Sequence, residues 1–314
     1  MNLYSNLVKL PGDASFRSFY REKNKKKSII VFAKKEKKNN LLIYDAINKI
    51  LIKNNIKAPK LIKENYKENF IEIEDLGNKN IFYKLKKKKK IKYYFRILKV
   101  LYKLQKISDK KIKTFTNTEY KIPNYSKNKL LEESKLFLEW YLPKKLKKKN
   151  LKITKKKIKN IFLDLINKLQ IKKNVFVHRD FHVSNMMFFK KKIYLIDSQD
   201  AVYGNIAYDL ASLIDDVRFK TSSDEKTKIY NKYISENKSL DASKFKNDFE
   251  ILSVLRNFKI IGIFTRLSVR DKKNKYLKLI PKAWNLIEYR IKKNYKFKDL
   301  KKILDKHFPK KIRL

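Results

Sequence analysis

Two histidines four residues apart, His178 and His182, stand in the stretch VHRDFHVSN (177–185) beside Arg179, Asp180 and Asn185. Histidines at i and i+4 on one helix face are the spacing of a His-Glu-x-x-His zinc site. Here Arg179 stands where that site needs its glutamate base, and the stretch lies between strand-like segments rather than inside a helix. A phosphoryl-transfer loop fits better. Its His-Arg-Asp-Leu-x-x-x-Asn pattern uses the Asp to accept the proton of the attacking hydroxyl and an Asn five residues on to hold magnesium. Asp180 and Asn185 have that spacing, and Asp197 follows twelve residues after Asn185. The histidines then become scaffold: His178 holds the loop through backbone hydrogen bonds and His182 orients the Asp180 or Asp197 region. The bland alternative is an ordinary polar turn, which makes Asp197 a coincidence.

The elements that must position these residues are legible around them. MMFF (186–189) and IYLI (193–196) flank a basic KKK and predict a hairpin. A tight antiparallel turn returns the end of one strand beside the start of the other, so Asn185 and Asp197 can grip one ion from neighbouring strand ends. Oxygen ligands of this kind suit magnesium, which keeps several waters and shares substrate phosphates.

Upstream, LPGDASFRSFYR (10–21) supplies one glycine and is not a GxGxxG loop. Gly12 can turn the chain, and Asp13, Ala14 and Ser15 are small enough to leave backbone N–H groups for phosphate oxygens. A plain hairpin turn explains the same residues equally well. EIEDLG (72–77) offers the backbone of Glu74, Asp75 and Leu76 to a nucleotide base, or is a linker with a turn glycine.

Around these motifs the chain reads as an α+β protein. SFRSFYRE and SIIVFA flank the turn NKKK (24–27), and a helix over Leu41–Ile52 is ended by Ala58 and Pro59. The strands KLIKE and NFIEIEDLG follow, the second closing on Gly77. A nucleotide-binding domain over 1–77 therefore precedes a helical domain over 78–314, with helices expected over 79–107, 129–142, 153–171 and from Tyr208 onward.

Composition narrows the function classes. The chain has 314 residues and 43% hydrophobic content, enough for a sizeable core, which excludes disorder throughout. Zero cysteines excludes disulfides, thiol catalysis and cysteine metal sites. No apolar run reaches the ~20 residues that span a bilayer, and the N-terminal residues lack a basic segment followed by an apolar one, so a cytoplasmic location is expected. The net charge of +50 suits nucleic acid, but only ten of the 81 basic residues are Arg. The accompanying abundance of Asn, Ile, Tyr and Phe fits an AT-rich coding bias without a ligand. Where Lys is the default cation, each Arg marks a place where a planar fork matters, and Arg17, Arg21, Arg179, Arg266 and Arg270 stand out.

Five blocks together resemble the aminoglycoside phosphotransferase-like kinases. They are GDASFRSFYR (12–21), EDLG (74–77), VHRDFHVSNMMF (177–188), IDSQDAVYGNIAYDLASL (196–213) and GIFTRLSVRDKKNKYL (262–277). The resemblance implies a two-lobed protein-kinase-like fold, with a small mostly β N-lobe and a larger mostly α C-lobe, that uses ATP and Mg2+. Within that family the blocks are most similar to the anomeric kinases of N-acetylmuramate and N-acetylglucosamine in cell-wall recycling. Carried over, Asp180 is the base and Asn185 and Asp197 are the magnesium ligands. Gly12, Asp13, Ser15, Arg17, Glu74, Asp75 and Leu76 meet the nucleotide. Asp200, Glu139, Arg266 and Arg270 meet the sugar, with Gln199, Trp140 and Asp271 nearby, and a lactyl carboxylate suits a bidentate Arg. Arg266 and Arg270, four apart on a helix, serve equally as partners of acids within the lobe. His178, Arg179, His182 and Asp209 support the site, Asp209 tying the catalytic loop to a helix or capping that helix.

Three departures accompany the match. Ser198 follows the metal Asp where an aromatic residue is expected. SIIVFA carries no inner lysine, leaving Lys34 at its edge and Arg17 or Arg21 as substitutes. The partner acid on the following helix is unassigned, with Asp45 the candidate. The expected partner is a small amino sugar, with no specific nucleic acid, no membrane and a monomeric state. The competing readings are a kinase of choline, an amino alcohol or an aminoglycoside, and an inactive kinase-like binder of RNA or an anionic membrane.

Overall fold

The computed structural model describes residues 6–10, 17–23, 28–86, 90–292 and 294–313. The chain folds as two compact units, Met1–Pro123 with Val175–Tyr203, and Asn124–Asn174 with Gly204–Leu314.

The first unit is built on a five-stranded antiparallel sheet of β1 (Leu7–Lys9), β2 (Arg17–Glu22), β3 (Ser28–Ala33), β4 (Leu61–Asn65) and β5 (Phe70–Glu74), in the order β1-β2-β3-β5-β4. Alternation drives it: Val31 and Ala33 of β3 and Ile71 and Ile73 of β5 point to one face and bury against Leu41 and Tyr44 of helix α1 (Asn39–Lys53). Full burial of a side chain such as Val31, Leu41 or Ile71 contributes about 1.5–3 kcal/mol. The helix stops at Lys53 because Asn55 takes a left-handed φ of 57° and the Ile56 N–H turns back to the Leu51 carbonyl.

The expected helix over 79–107 is two helices, α2 (Phe82–Leu85) and α3 (Lys90–Gln105). A short hairpin of β6 (Lys111–Lys113) and β7 (Glu119–Lys121) follows, which periodicity did not reveal because its strands are only three residues long. The unit is completed by β8 (Asn174–Val177), β9 (Met186–Phe189), β10 (Lys192–Leu195) and β11 (Val202–Asn205), the first residue of β8 and the last two of β11 belonging to the second unit. The β9–β10 turn is two residues, Lys190 and Lys191, both at positive φ, while Lys192 is already in the strand. That is the mirror-image turn that matches strand twist, made here without its usual Asn-Gly.

The second unit is helical: α4 (Lys127–Leu136), α5 (Leu142–Lys145), α6 (Lys148–Asn167), α7 (Ala207–Ile214), α8 (Ser223–Glu236), α9 (Ala242–Asp271), α10 (Ile280–Ile291), α11 (Lys298–His307) and α12 (Lys310–Arg313). The helix expected over 129–142 is interrupted by a π-helical turn at Phe137–Tyr141, and the one expected over 153–171 begins at Lys148 and ends at Asn167. Side-chain caps start the helices where the sequence offers them: Ser126 for α4, a Ser222–Glu225 capping box for α8, Asp241 for α9. Helix α9 is buried on almost every side from Ile251 to Leu267, as a central helix must be. Its Phe258 joins Phe137, Tyr141, Trp284 and Phe308 in an aromatic cluster, and the indole N–H of Trp284 donates to the Tyr141 hydroxyl at 3.0 Å. Burial pushes the Tyr141 hydroxyl up to about 12.

Candidate active site

Strand β8 is buried on both faces and delivers the chain into the loop 178–185. His178 is fully buried there, outside any helix, so the helix-face geometry of a two-histidine zinc site is absent. Burial holds its pKa below the ordinary histidine value, against the raising effects of Asp180, Asp197, Asp200 and a hydrogen bond to the Ile196 backbone. The ring is therefore neutral at neutral pH, and it links the loop to the strand end that carries Asp197. His182 is buried too, with Nε2 4.0 Å from Asp180 Oδ1.

The loop is closed by its own backbone. The His182 N–H donates to the Asp180 carbonyl at 2.9 Å, the Asn185 N–H donates to the His182 carbonyl at 3.0 Å, and Asn185 Nδ2 donates to the Asp180 carbonyl at 3.1 Å. These bonds fix Asn185 by its amide nitrogen and leave its Oδ1 without a hydrogen-bond partner among the described residues. Across the hairpin, the Ile196 N–H donates to the Asn185 carbonyl at 3.1 Å, which sets Asp197 beside Asn185. Asp197 receives Arg17 Nη2 at 2.6 Å and Gln199 Nε2 at 3.2 Å, both on Oδ1, while Oδ2 has no such partner among the described residues. Two open oxygens, one amide and one carboxylate, are a donor set that fits Mg2+ and excludes soft-metal chemistry. Arg179 and Asp197 both sit at left-handed φ, 70° and 61°, although neither is glycine. Such strain persists only where the surroundings over-determine it, and it clusters at working sites.

Asn80, which sequence reasoning missed, ties the loop to the segment before α2: its Nδ2 donates to the Ser184 carbonyl at 2.8 Å, and the neighbouring Ile81 N–H donates to the Met186 carbonyl at 2.9 Å. Asn48 of α1 was missed as well. Its Oδ1 accepts from the Ser198 hydroxyl at 2.7 Å and its Nδ2 donates to the Pro59 carbonyl. The residue after Asp197 is thus held by a buried polar bond instead of by packing an aromatic ring.

On the sheet side, Gly12, Asp13, Ala14 and Ser15 lie outside the described residues. Arg17 is almost completely buried. Arg21 forks onto Asp75, at 2.6 and 2.8 Å, and reaches Asn78 Oδ1. Asp75 also accepts the Gly77 N–H at 2.7 Å. Its side chain is committed to that turn. Leu76 has no backbone hydrogen bond among the described residues, whereas the Glu74 N–H is used by the Lys60 carbonyl. Asp45, the expected partner acid, pairs instead with Lys49 one turn on at 2.7 Å, and burial raises its pKa.

Asp200 is exposed, and its carbonyl accepts from Arg179 Nη1 at 3.1 Å while Gln199 Nε2 reaches its carboxylate at 3.1 Å. In the second unit, Arg270 is taken by a bidentate bond to Asp271 at 2.8 and 2.9 Å. Half-buried Arg266 has no hydrogen bond or ion pair among the described residues, and its Nε is buried. Burial and Arg270 lower its pKa, while Asp271 and Glu139 oppose them. Glu139 is exposed on the π-helical turn with half-buried Trp140 beside it. Asp209 is buried in the first turn of α7. No described helix is long and apolar enough to cross a membrane.

The chain is similar to known proteins in family and in fold. A family model described as "Phosphotransferase enzyme family" matches residues 6–233. An N-acetylmuramate/N-acetylglucosamine kinase of Neisseria meningitidis serogroup B is 28% identical over 292 residues, covering 90% of this chain and 84% of that protein. The Pseudomonas aeruginosa protein of the same name is 24% identical, covering 96% of this chain and 88% of that protein. Among solved structures, ADP-bound aminoglycoside phosphotransferase APH(2'')-Ib matches with a TM-score of 0.62 at 15% identity, covering 90% of this chain and 92% of that one. A choline/ethanolamine kinase family protein from Mesorhizobium loti matches with a TM-score of 0.65 at 8% identity, covering 96% and 93%. Both share the protein-kinase-like fold.

Proposed function

We propose that this chain, which belongs to the phosphotransferase enzyme family, is an ATP-dependent kinase whose acceptor is the anomeric hydroxyl of N-acetylmuramate or N-acetylglucosamine. The observation that carries the sugar assignment is the match, over nine-tenths of the chain or more, to kinases of those two sugars. Two independent features support the chemistry: the closed loop that presents Asp180, and the open oxygens of Asn185 and Asp197.

In this reading Asp180 takes the proton of the C1 hydroxyl as the sugar oxygen bonds to the γ-phosphorus of ATP. The bond from that phosphorus to the β,γ-bridging oxygen breaks, and ADP leaves. Asn185 and Asp197 would hold magnesium, which would supply neutralisation of the charge building on the phosphate oxygens. The transition state needs little covalent help, so positioning by the His178, His182 and Asn80 scaffold is most of the protein's contribution. Glu74–Leu76 supply backbone groups to the nucleotide base. Glu139, Asp200, Arg266 and Arg270 are assigned to the sugar, with the uncommitted fork of Arg266 the better match to a lactyl carboxylate. A sugar 1-phosphate formed in this way is a product suited to the recycling of cell-wall sugars.

A coupled ADP-release assay with Mg-ATP and N-acetylmuramate, N-acetylglucosamine, choline and kanamycin tests the proposal. Turnover is expected with one or both amino sugars. Turnover with choline or kanamycin alone would remove the sugar assignment and keep the kinase.

A further inference from the structure

Protein kinases place on the third strand a lysine that meets the α- and β-phosphates and is itself held by a glutamate of the next helix. Neither residue is present here in that form. The strand β3 reads SIIVFA, and the α1 acid Asp45 is spent on Lys49. What occupies the position is visible in the register of β2 and β3. Arg17 is the direct cross-strand partner of Ala33. Directly paired residues project from the same face of a sheet, with their Cβ atoms about 5 Å apart. Ala33 belongs to the buried face that packs on Leu41 and Tyr44, and its single methyl leaves the space through which a long side chain from β2 can pass. Arg17 passes there. Its side chain is 1% exposed, its guanidinium lies 5.0 Å from the Tyr44 ring centre on α1 and 5.7 Å from that of Phe19, and it ends on Asp197 at 2.6 Å.

A buried cation is kept only where partners offset the loss of water around its charge, and here the partner is the carboxylate assigned to magnesium, which aims the guanidinium at the place where a metal-bound triphosphate would lie. Tyr44 and Asp197 hold the fork in place, as the glutamate holds the lysine elsewhere. The Tyr44 face does so by cation–π attraction, which leaves no competing carboxylate on α1.

We propose that Arg17, threaded from β2 over Ala33, is the phosphate-binding cation of this kinase and takes over the task of the missing β3 lysine. The inference rests on the ATP-dependent reading above. An arginine adds a planar fork that can bridge two phosphate oxygens, so the exchange also changes how the triphosphate is gripped.

Nucleotide binding, which needs no sugar, provides the test. The full chain and the variants Arg17→Ala and Arg17→Ala/Ala33→Lys are titrated calorimetrically with Mg·AMP-PNP and, separately, with adenosine. Arg17→Ala is expected to weaken Mg·AMP-PNP by about tenfold or more and leave adenosine within about twofold. Ala33→Lys on that background, which restores a cation from the neighbouring strand, is expected to recover part of the loss. If Arg17→Ala does not fold, Arg17→Met keeps the buried stem over Tyr44 and makes the same comparison. Unchanged Mg·AMP-PNP affinity, or an equal loss for adenosine and Mg·AMP-PNP, overturns the inference and leaves the kinase reading intact. A native chain that binds neither ligand overturns both.

Discussion

The hydroxyl of Ser198 donates a 2.7 Å hydrogen bond to Asn48 Oδ1 across 150 residues of sequence, with both side chains buried. The bond pins the residue next to Asp197 onto α1, the same helix whose Tyr44 lies under Arg17. One helix thereby fixes both the assigned metal ligand and the cation that meets it. Ser198→Ala leaves a buried amide oxygen unsatisfied and should destabilise the chain by about 1–3 kcal/mol. Adding Asn48→Leu removes the orphaned group, so the double variant should lose less than the sum of the two single changes in urea denaturation. Additive losses would show that the bond does not couple the two residues.

Two glycines should fail for different reasons. A Cβ on Gly262 would lie 2.3 Å from the Leu136 carbonyl carbon and 2.5 Å from the Phe137 nitrogen, both backbone atoms at the start of the π-helical turn. Helix α9 cannot draw back from that turn without pulling Phe258 away from Phe137. Gly262→Ala should therefore destabilise by about 1–3 kcal/mol or more, read as a lowered thermal midpoint. Gly77 has nothing within 4 Å of its added Cβ but sits at φ +71°. Gly77→Ala should lose only the left-handed penalty, about 1 kcal/mol.

Acid sensitivity should trace to His178. Its folded pKa is depressed by burial, so the folded state binds fewer protons than the unfolded state. Its contribution is then complete above the ordinary value of about 6.5 and is lost as pH falls below it, at up to about 1.4 kcal/mol per pH unit. His178→Gln keeps an amide donor for the Ile196 backbone and removes the titration. Between pH 6.5 and 5, roughly, the stability of the native chain should fall more steeply than that of the variant. Parallel slopes in chemical denaturation at several pH values would contradict the assignment.

The parts of the fold that sequence exposed are those governed by local periodicity. Alternation placed β2, β3, β4 and β5, helical spacing placed α1, and the Asn185-to-Asp197 separation was legible because a two-residue turn forces the strand ends together. The β6–β7 hairpin was silent because a strand of three residues has too few positions to show a period. The π-helical turn was silent because its residues, Phe137–Tyr141, carry an ordinary helical pattern, while the Gly262 backbone that packs against its start lies more than 120 residues away. The partners of Arg17 and Ser198 lie 180 and 150 residues away, and no local signal encodes such a distance. Composition did point to the arginines. Of those singled out against a lysine background, Arg17, Arg21 and Arg179 each take a fully or partly buried position with a carboxylate or carbonyl partner; Arg290 and Arg313, which were not singled out, do the same. Arg266 and Arg270 are the exceptions among those singled out: Arg266 has no hydrogen bond or ion pair among the described residues, and the fork of Arg270 is spent on its exposed neighbour Asp271.

The central claim is that Asp180 is the base of a phosphoryl transfer, and Asp180→Asn tests it most directly. The change deletes the proton acceptor and leaves Asn185, Asp197 and the Asp180 carbonyl that Asn185 and His182 bind. Turnover of Mg-ATP with the accepted sugar should fall by about 10²- to 10⁴-fold, while calorimetric affinity for Mg·AMP-PNP stays within about twofold. A folded Asp180→Asn protein that turns over at the native rate would contradict the account.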